Sequence, residues 1–465
     1  MSIRCAIRAA ALALAAIASG ASLAWAENPV VQTSFTADPA PMVHDGVVYL
    51  YTSHDEDDAN GFKMLDWRLY STTDMVNWTD KGVVASLKTF PWAAQDNGAW
   101  APQVVERAGK FYMYVPISIA GWPANVIAVA VADKPEGPFR DALGKPLIDA
   151  AEGFFDPTVW VDDDGQAYRY WGNPNLWYVK LNKDMVSWSG PITRVDSKPA
   201  NYQEGPWFYK HNAKYYLAYA STCCSEGIGY VMSDKPTGPW VYHGDIMDHN
   251  LGSTGNHPGI IDYKGKSYVF GFNYRLNFAE TPIHHERRSV TVAELTYNPD
   301  GTIPMLPWWD NVGVKQLHTV SPYDRVEAET IAWTSRIKRD RDRPIDWAPG
   351  IKTAKSDKVG MYVTRVTDLT YIKVNGVDFG AASPSSFTAN LASGGPGGVI
   401  ELHLDSGDGP LIGQLNVVPT AGWDDWQTQT TQVSQATGTH DLYLVFKGEG
   451  DAPLFNIDYW RFGRP

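Results

Sequence analysis

Five short runs of this chain alternate apolar and polar positions in one shared register. They are Val47-Val-Tyr-Leu-Tyr-Thr-Ser, Lys110-Phe-Tyr-Met-Tyr-Val, Gln166-Ala-Tyr-Arg-Tyr-Trp, Lys214-Tyr-Tyr-Leu-Ala-Tyr and Lys266-Ser-Tyr-Val-Phe-Gly-Phe. Period-two alternation of aromatic and β-branched residues predicts strands. Each run follows a turn, and each turn follows a shorter apolar strand. That strand opens on a functional side chain beside Pro, Gly or Ala: Asp38-Pro-Ala-Pro, Trp100-Ala-Pro-Gln, Asp156-Pro-Thr-Val, Glu204-Gly-Pro-Trp and His257-Pro-Gly-Ile. The frame recurs at roughly fifty to sixty residues, a period that implies propeller blades. Outer elements repeat as well. Ala132-Asp-Lys-Pro-Glu-Gly-Pro-Phe139 matches Ser233-Asp-Lys-Pro-Thr-Gly-Pro-Trp240, and Thr73-Asp-Met-Val-Asn-Trp78 matches Lys183-Asp-Met-Val-Ser-Trp188.

The prediction is an all-β chain: a five-bladed β-propeller followed by a β-sandwich of jelly-roll type. Radial closure removes long exposed sheet edges. It also places Asp38, Trp100, Asp156, Glu204 and His257 around one central funnel, because the innermost strands begin at the same end. The frame stops after Thr302-Ile-Pro-Met, and Val314 to Tyr323 reads as a linker. Gly- and Ser-rich turns then separate strands such as Val399-Ile-Glu-Leu-His-Leu404 and Asp441-Leu-Tyr-Leu-Val-Phe446. The expected division is 1–26 signal peptide, 27–318 propeller and 319–465 sandwich.

The total of 465 residues fits two domains. A formal net charge of −13 with no long basic run argues against nucleic acid as a partner. Arg4 and Arg8 precede an apolar run from Ala9 to Ala18, and Ala24-Trp25-Ala26 fits a signal-peptidase site before Glu27. The run is too short to span a bilayer. The expectation is therefore a bacterial protein that is secreted or periplasmic and not held in a membrane. Beyond that leader the only cysteines are Cys223 and Cys224. They are either bonded to each other or two thiols, and no zinc-type spacing exists.

Three of the five frame-opening residues are carboxylates, which is what glycoside hydrolysis needs. One carboxyl stays protonated and donates to the leaving oxygen, and another is ionised and activates water or attacks carbon. A third raises the acid's pKa by like-charge repulsion. Carboxylates also gather around calcium. Asp162-Asp-Asp-Gly165 has that look, but a Tyr strand follows it, so it reads as a hairpin turn. His257 reads either as a structural histidine or as a neutral imidazole beside the acids or a cation. Trp100 reads as core or as a platform for a sugar face.

These same segments carry a resemblance. Ala37-Asp-Pro-Ala-Pro, Trp100-Ala-Pro, Phe155-Asp-Pro-Thr-Val, Glu204-Gly-Pro-Trp and Asn256-His-Pro-Gly resemble family 43 glycoside hydrolases, five-bladed propellers that act on plant-wall pentosans with inversion. The resemblance covers roughly residues 29 to 318. It implies that Asp38 is the general base, Glu204 the general acid, and Asp156 the residue that tunes and orients the acid. It also implies that Arg288 lies at the same subsite and that His257 sits in the channel beside a calcium or sodium ion; Trp100, Arg288 and His257 are the candidate substrate-binding residues. No cofactor is implied for the chemistry. The C-terminal part is similar to a family 6 carbohydrate-binding module through Val326-Glu-Ala-Glu329, Gly376-Val-Asp-Phe-Gly380, Ile400-Glu-Leu-His-Leu-Asp-Ser406, Gly422-Trp423 and Phe455-Asn-Ile-Asp-Tyr-Trp460. This implies a structural calcium at Glu327, Glu329 and Asp458 and a sugar cleft at Tyr362, Trp423 and Asn456. One departure is Thr370-Tyr-Ile-Lys-Val, where many relatives carry Gly-Asp-Trp or Gly-Asp-Tyr.

The implied activity is release of terminal pentoses, β-D-xylose or α-L-arabinofuranose, from xylan, arabinoxylan or their oligosaccharides. The whole-chain pattern, paired cysteines included, resembles β-xylosidases with arabinofuranosidase side activity. Two other readings compete. A retaining fructan-cleaving propeller usually carries an Asn-Asp-Pro-Asn loop and an Arg-Asp-Pro motif, where this chain has Ala37-Asp38-Pro39-Ala40 and Phe155-Asp156-Pro157. A non-catalytic wall-binding protein would suit the aromatic content of 13% but not three retained carboxylates. Specificity is expected from loops outside the frame, with Ser221 to Gly227 and Gly121 to Asn125 as candidates on the leaving-group side.

Overall fold

The computed structural model describes residues 24–119, 125–148, 155–250, 256–309, 312–335 and 350–465. The five alternating runs form the second strands of five antiparallel sheets. The first blade contains Phe35–His44, Val47–Asp55, Asp66–Thr72 and Trp78–Ser86. Blades two to four also have four strands each. The fifth has three, Gly259–Tyr263, Lys266–Asn273 and Ser289–Leu295. Three of the hairpins joining first and second strands turn on two consecutive left-handed residues. At Asp45-Gly46, Ala108-Gly109 and Lys264-Gly265, φ runs 47° and 75°, 54° and 75°, and 48° and 76°. That turn has the twist of the strands it joins, so it suits a repeated hairpin. Asp162 to Gly165 is a hairpin turn, as expected: the Gly165 N–H donates to the Asp162 carbonyl at 2.8 Å, and the Asp162 N–H to Gln166 at 2.9 Å.

The tyrosines of the frame join neighbouring blades. A hydroxyl from each blade donates to a backbone carbonyl on the next: Tyr51 to Pro135 at 2.8 Å, Tyr114 to Met185 at 2.7 Å and Tyr170 to Pro236 at 2.7 Å. Tyr216 reaches Gly301, just beyond the fifth blade, at 2.8 Å, and Tyr263 returns to Thr73 of the first at 2.9 Å. A buried ring with a satisfied polar tip explains why the strands use Tyr rather than Phe here. The ring closes where the first blade meets the fifth. The Thr36 and Val30 N–H groups donate to the Arg288 and Val290 carbonyls, both at 2.9 Å. Gly259 sits at this seam, and a Cβ there would lie 2.4 Å from the Pro41 ring and 2.5 Å from the Pro39 carbonyl. Only glycine allows that approach.

The C-terminal part is two facing sheets, one of six strands, in which Val326–Glu327 pairs with Asn456–Gly463 off the main path, and one of five. One runs Lys352–Ser356, Gly360–Thr364, Asn456–Gly463, Ser386–Ala392 and Gln427–Gln432. The other runs Trp333–Thr334, Tyr371–Asp378, Thr439–Lys447, Gly398–Leu404 and Leu411–Val417. Their inner faces bury Val363, Ile372, Phe387, Leu402, Leu444, Phe446 and Trp460 in one core.

The two parts lock through a difference between two repeats. In the first Asp-Met-Val turn, Asp74 caps the Val76 and Asn77 N–H groups. In the second, Asp184 does the same for Val186 and Ser187. Ser187 stays within its own turn, bonding Asp184 at 2.6 Å. Asn77 instead reaches across to Asn375 of the sandwich. It accepts from the Asn375 N–H at 2.9 Å and donates to its carbonyl at 3.1 Å. Gln316 adds a bond to the same carbonyl at 3.0 Å and one to Asp74 at 3.1 Å. All four residues are buried. Asn77→Ser strands the buried Asn375 N–H, so we expect a loss of about 2 kcal/mol, read as a lower unfolding midpoint. An unchanged midpoint would show that the lock contributes nothing. Thr330–Ile331 also adds a strand to the first blade beside Trp78–Ser86.

Residues 1–23 of the expected leader lie outside the described residues. Trp25–Glu27 pairs antiparallel with Val312–Lys315, so the expected processing point after Ala26 falls inside a strand. No helix among the described residues is long and apolar enough to cross a membrane.

Candidate active site

The innermost strands leave a cavity lined by Asp38, Asp156 and His257 with Pro39, Pro157, Gly205, Pro206 and Pro258. Asp38 and Asp156 hold left-handed φ values of 50° and 55°. Non-glycine residues adopt that conformation at a cost, which is tolerated where function needs the side chain aimed. Gly205, next to Glu204, has φ 59°, and a Cβ there would stand 3.0 Å from the His257 ring.

His257 organises the carboxylates. Its Nδ1 is 3.6 Å from Asp38 Oδ1, while its Nε2 is 3.6 Å from Asp156 Oδ2 and 3.5 Å from Glu204 Oε1. Burial alone would lower the imidazole pKa, but Asp156, Asp38 and Glu204 together push it up to about 10. The three carboxylates therefore favour the protonated imidazole over the neutral one. Burial pushes the Asp156 carboxyl up to about 7, opposed by His257 and reinforced by Glu204 and Asp38. The Gly205 N–H donates to Asp156 at 3.1 Å. Asp156 and Glu204 face the same imidazole nitrogen.

Asp38 and Glu204 have different partners. Asp38 accepts from Ser53 Oγ at 2.6 Å and from Arg288 Nη1 at 2.8 Å, two donors suited to a carboxylate. Arg288 is clamped by Asp55, with Nε at 3.1 Å from one oxygen and Nη2 at 2.9 Å from the other. Burial would lower the Arg288 pKa, but Asp38 and Asp55 hold it well above its usual value. The Asp55 carboxyl goes up, because its own burial outweighs the pull of Arg288. Glu204 accepts from the Asn173 side-chain amide, and Asn173 in turn accepts from Gln203 at 3.3 Å. Asp38 thus sits in a fixed cationic cradle, whereas Glu204 is half-exposed beside an amide.

Asp38, Asp156, Glu204 and His257 come together as expected, and Arg288 joins them. Trp100 is set back. Its blade lines the cavity with Ala101, Pro102 and Gln103, while the half-buried Trp100 ring packs on the core and meets Phe62 edge-on at 6.4 Å. Asp55, Ser53, Asn173 and Phe62 escaped the sequence reading. Asp55 did carry one signal, since it lies on the same strand face as Ser53 and opens an acidic run.

In the module, Asn456 donates to the Trp423 carbonyl at 2.9 Å, and Trp423 is exposed. Tyr362 packs on Trp426, a ring that the sequence reading did not include, at 5.1 Å. Glu327, Glu329 and Asp458 are not one of the compact metal-ligand groups among the described residues. Arg325 lies where the cation was expected. It bonds both Glu327 oxygens at 2.8 and 2.7 Å and Asp458 at 3.0 Å. Asn390 takes the other Asp458 oxygen at 2.8 Å. Glu329 instead lines a pocket against the first blade. In this structure the charge partner of Glu327 and Asp458 is Arg325. Asp156, Glu204 and His257 do offer ligand atoms within 4.8 Å of one another, but the His257 proton competes with any cation there.

Residues 26–303 match the sequence profile of glycosyl hydrolases family 43, and residues 344–464 match that of carbohydrate binding module family 6. An arabinoxylan arabinofuranohydrolase of Bacillus subtilis (strain 168) is 34% identical over 94% of this chain and 92% of its own length. One of Paenibacillus polymyxa is 33% identical over 94% of this chain and 74% of its own. A xylosidase/arabinosidase of Bacteroides ovatus is 32% identical over 59% of this chain and 95% of its own. The crystal structure of a family 43 arabinoxylan arabinofuranohydrolase from Bacillus subtilis in complex with cellotetraose superposes with a TM-score of 0.80 at 32% identity. It covers 94% of this chain and 97% of that one.

Proposed function

This chain belongs to glycosyl hydrolase family 43, and from that premise we propose that it is an inverting exo-glycosidase removing single pentoses from arabinoxylan, xylan or their oligosaccharides. Asp38 takes a proton from the attacking water, and Glu204 protonates the leaving oxygen. Asp156 orients the acid, while Arg288 and Ser53 fix the Asp38 carboxylate in place through two donors. The observation that carries this reading is the single imidazole flanked by Asp38 on one nitrogen and by Asp156 and Glu204 on the other. It sets a base apart from the acid and its neighbour.

Two relatives matched over both domains are named arabinoxylan arabinofuranohydrolases. Those named xylosidases match little beyond the propeller. The balance shifts accordingly from β-D-xylose towards α-L-arabinofuranose on a xylan chain. Paired assays with nitrophenyl α-L-arabinofuranoside and nitrophenyl β-D-xyloside test this, and we expect the arabinofuranoside to be the better substrate. A clear preference for the xyloside would favour the second reading. Hydrolysis of neither would remove both.

The chemistry uses no cofactor. The charge at the channel is supplied by the His257 proton, and a calcium or sodium ion beside His257 would add to it without taking part in the reaction. The catalytic unit is residues 27–318, and the module is residues 319–465 with a sugar cleft at Tyr362, Trp423 and Asn456. The basic, apolar leader and its Ala24-Trp25-Ala26 site support export.

The raised pKa of Asp156 sets the pH profile. Protonation of the leaving oxygen needs a proton held beside the shared imidazole nitrogen, and Asp156 keeps one there below about 7. Activity is thus present below about 7 and falls as pH rises through that value. Asp156→Asn removes the like charge, so the alkaline limb of kcat/KM should move to lower pH. A limb that stays in place would show that Asp156 does not hold the acid's proton.

A further inference from the structure

The order of strands decides which loops meet the substrate. The innermost strands begin at the funnel, so each second strand runs back towards it. The connections from second to third strands therefore ring the funnel mouth. In the fourth blade, Glu204 pairs with Ala220 and Tyr202 with Ser221. The next residues, Thr222 to Glu226, form the turn before Gly227–Ser233. This turn thus stands at the mouth on the blade that carries Glu204. Asp38 is on the first blade, across the imidazole. In an inverting reaction, water arrives from the base side and the leaving sugar departs on the acid side. The Thr222 to Glu226 turn is accordingly on the leaving side.

What the turn presents there is a disulfide between adjacent residues, Cys223 and Cys224, both exposed. The turn is fixed on both sides. The Thr222 N–H donates to the Asn201 carbonyl at 2.8 Å, and Asn201 accepts from Tyr219 at 3.0 Å. At its other end, a Cβ on Gly227 would lie 2.5 Å from the Met247 carbonyl, so that side is packed tight. Glu226 is buried behind the sulfurs. The two sulfurs and Glu226 fall within metal-ligand spacing. Sulfurs bonded to each other offer no thiolate, however, which excludes a metal. An oxidised pair has no S–H donor either. It leaves a small, polarisable, apolar surface on an otherwise polar turn.

We propose that the Cys223–Cys224 disulfide is a wall of the subsite for the sugar on the leaving side of the cleaved bond, and that it packs on the apolar face of a xylopyranose unit. The inference rests on the pentosidase reading above.

The test compares two substrates with the same pentose and different leaving groups. One is an oligosaccharide, arabinose-substituted xylotriose or 1,4-β-xylotriose. The other is the matching pentosyl fluoride, whose leaving group fills no sugar subsite. For the full chain with Cys223→Ala and Cys224→Ala, the ratio of kcat/KM for oligosaccharide to fluoride should fall about tenfold, the size of one lost packing contact. A purely structural disulfide lowers both rates together and leaves the ratio unchanged, which would overturn the proposal. If the double variant does not fold, the same ratio is read on wild-type protein with and without a thiol reductant. Wild-type protein that cleaves neither substrate would instead overturn the pentosidase reading.

Discussion

Glu204→Gln lowers turnover of xylan- and arabinoxylan-derived oligosaccharides by about 10⁴-fold, the upper range for loss of a general acid. Gln keeps the shape of the side chain and can still accept from the Asn173 amide. The unfolding midpoint should therefore stay close to that of the wild type. The loss should depend on the leaving group. A pentosyl fluoride or a dinitrophenyl glycoside departs without protonation, so its kcat should fall far less. Kinetics on the two substrate types give the answer directly. Wild-type-like turnover of oligosaccharides by the variant would sink the assignment of Glu204 as acid.

Asp38→Asn gives a loss of similar size, on the order of 10⁴-fold, but one that does not depend on the leaving group. Every substrate needs the attacking water deprotonated. The surroundings predict that this variant also folds. Arg288 keeps its two-point contact with Asp55 when the Asp38 charge is gone. Added azide should yield no glycosyl azide of retained configuration, because no glycosyl-enzyme precedes product. The contrast between the two variants is the useful result. Equal leaving-group dependence in both would mean that base and acid have not been told apart.

Much of the fold could be read from the frame. The turn residues specify two-residue hairpins, and the tyrosines supply one hydroxyl per blade for the next. The three channel carboxylates were visible because each opens a frame beside Pro or Gly. Their partners were not. Arg288 meets Asp55 across 233 positions, and no local pattern announces that clamp. Trp100 opened a frame like the others, yet Ala101 to Gln103 took the cavity and the indole turned to the core. The Asn77-for-Ser187 difference was plain in the repeats, but its meaning lay in Asn375, 298 positions away. The surroundings of the implied calcium set were hidden for a similar reason. Glu327 and Asp458 match a ligand pattern, while Arg325, two positions before Glu327, supplies the positive charge.

The central claim is that Asp38 directs water onto the anomeric carbon opposite a leaving group protonated by Glu204. Proton NMR of the first sugar released, recorded before mutarotation, tests it most directly. The expected product has an anomeric configuration opposite to that of the bond cleaved. A first product of the same configuration would contradict it and assign Asp38 to covalent attack.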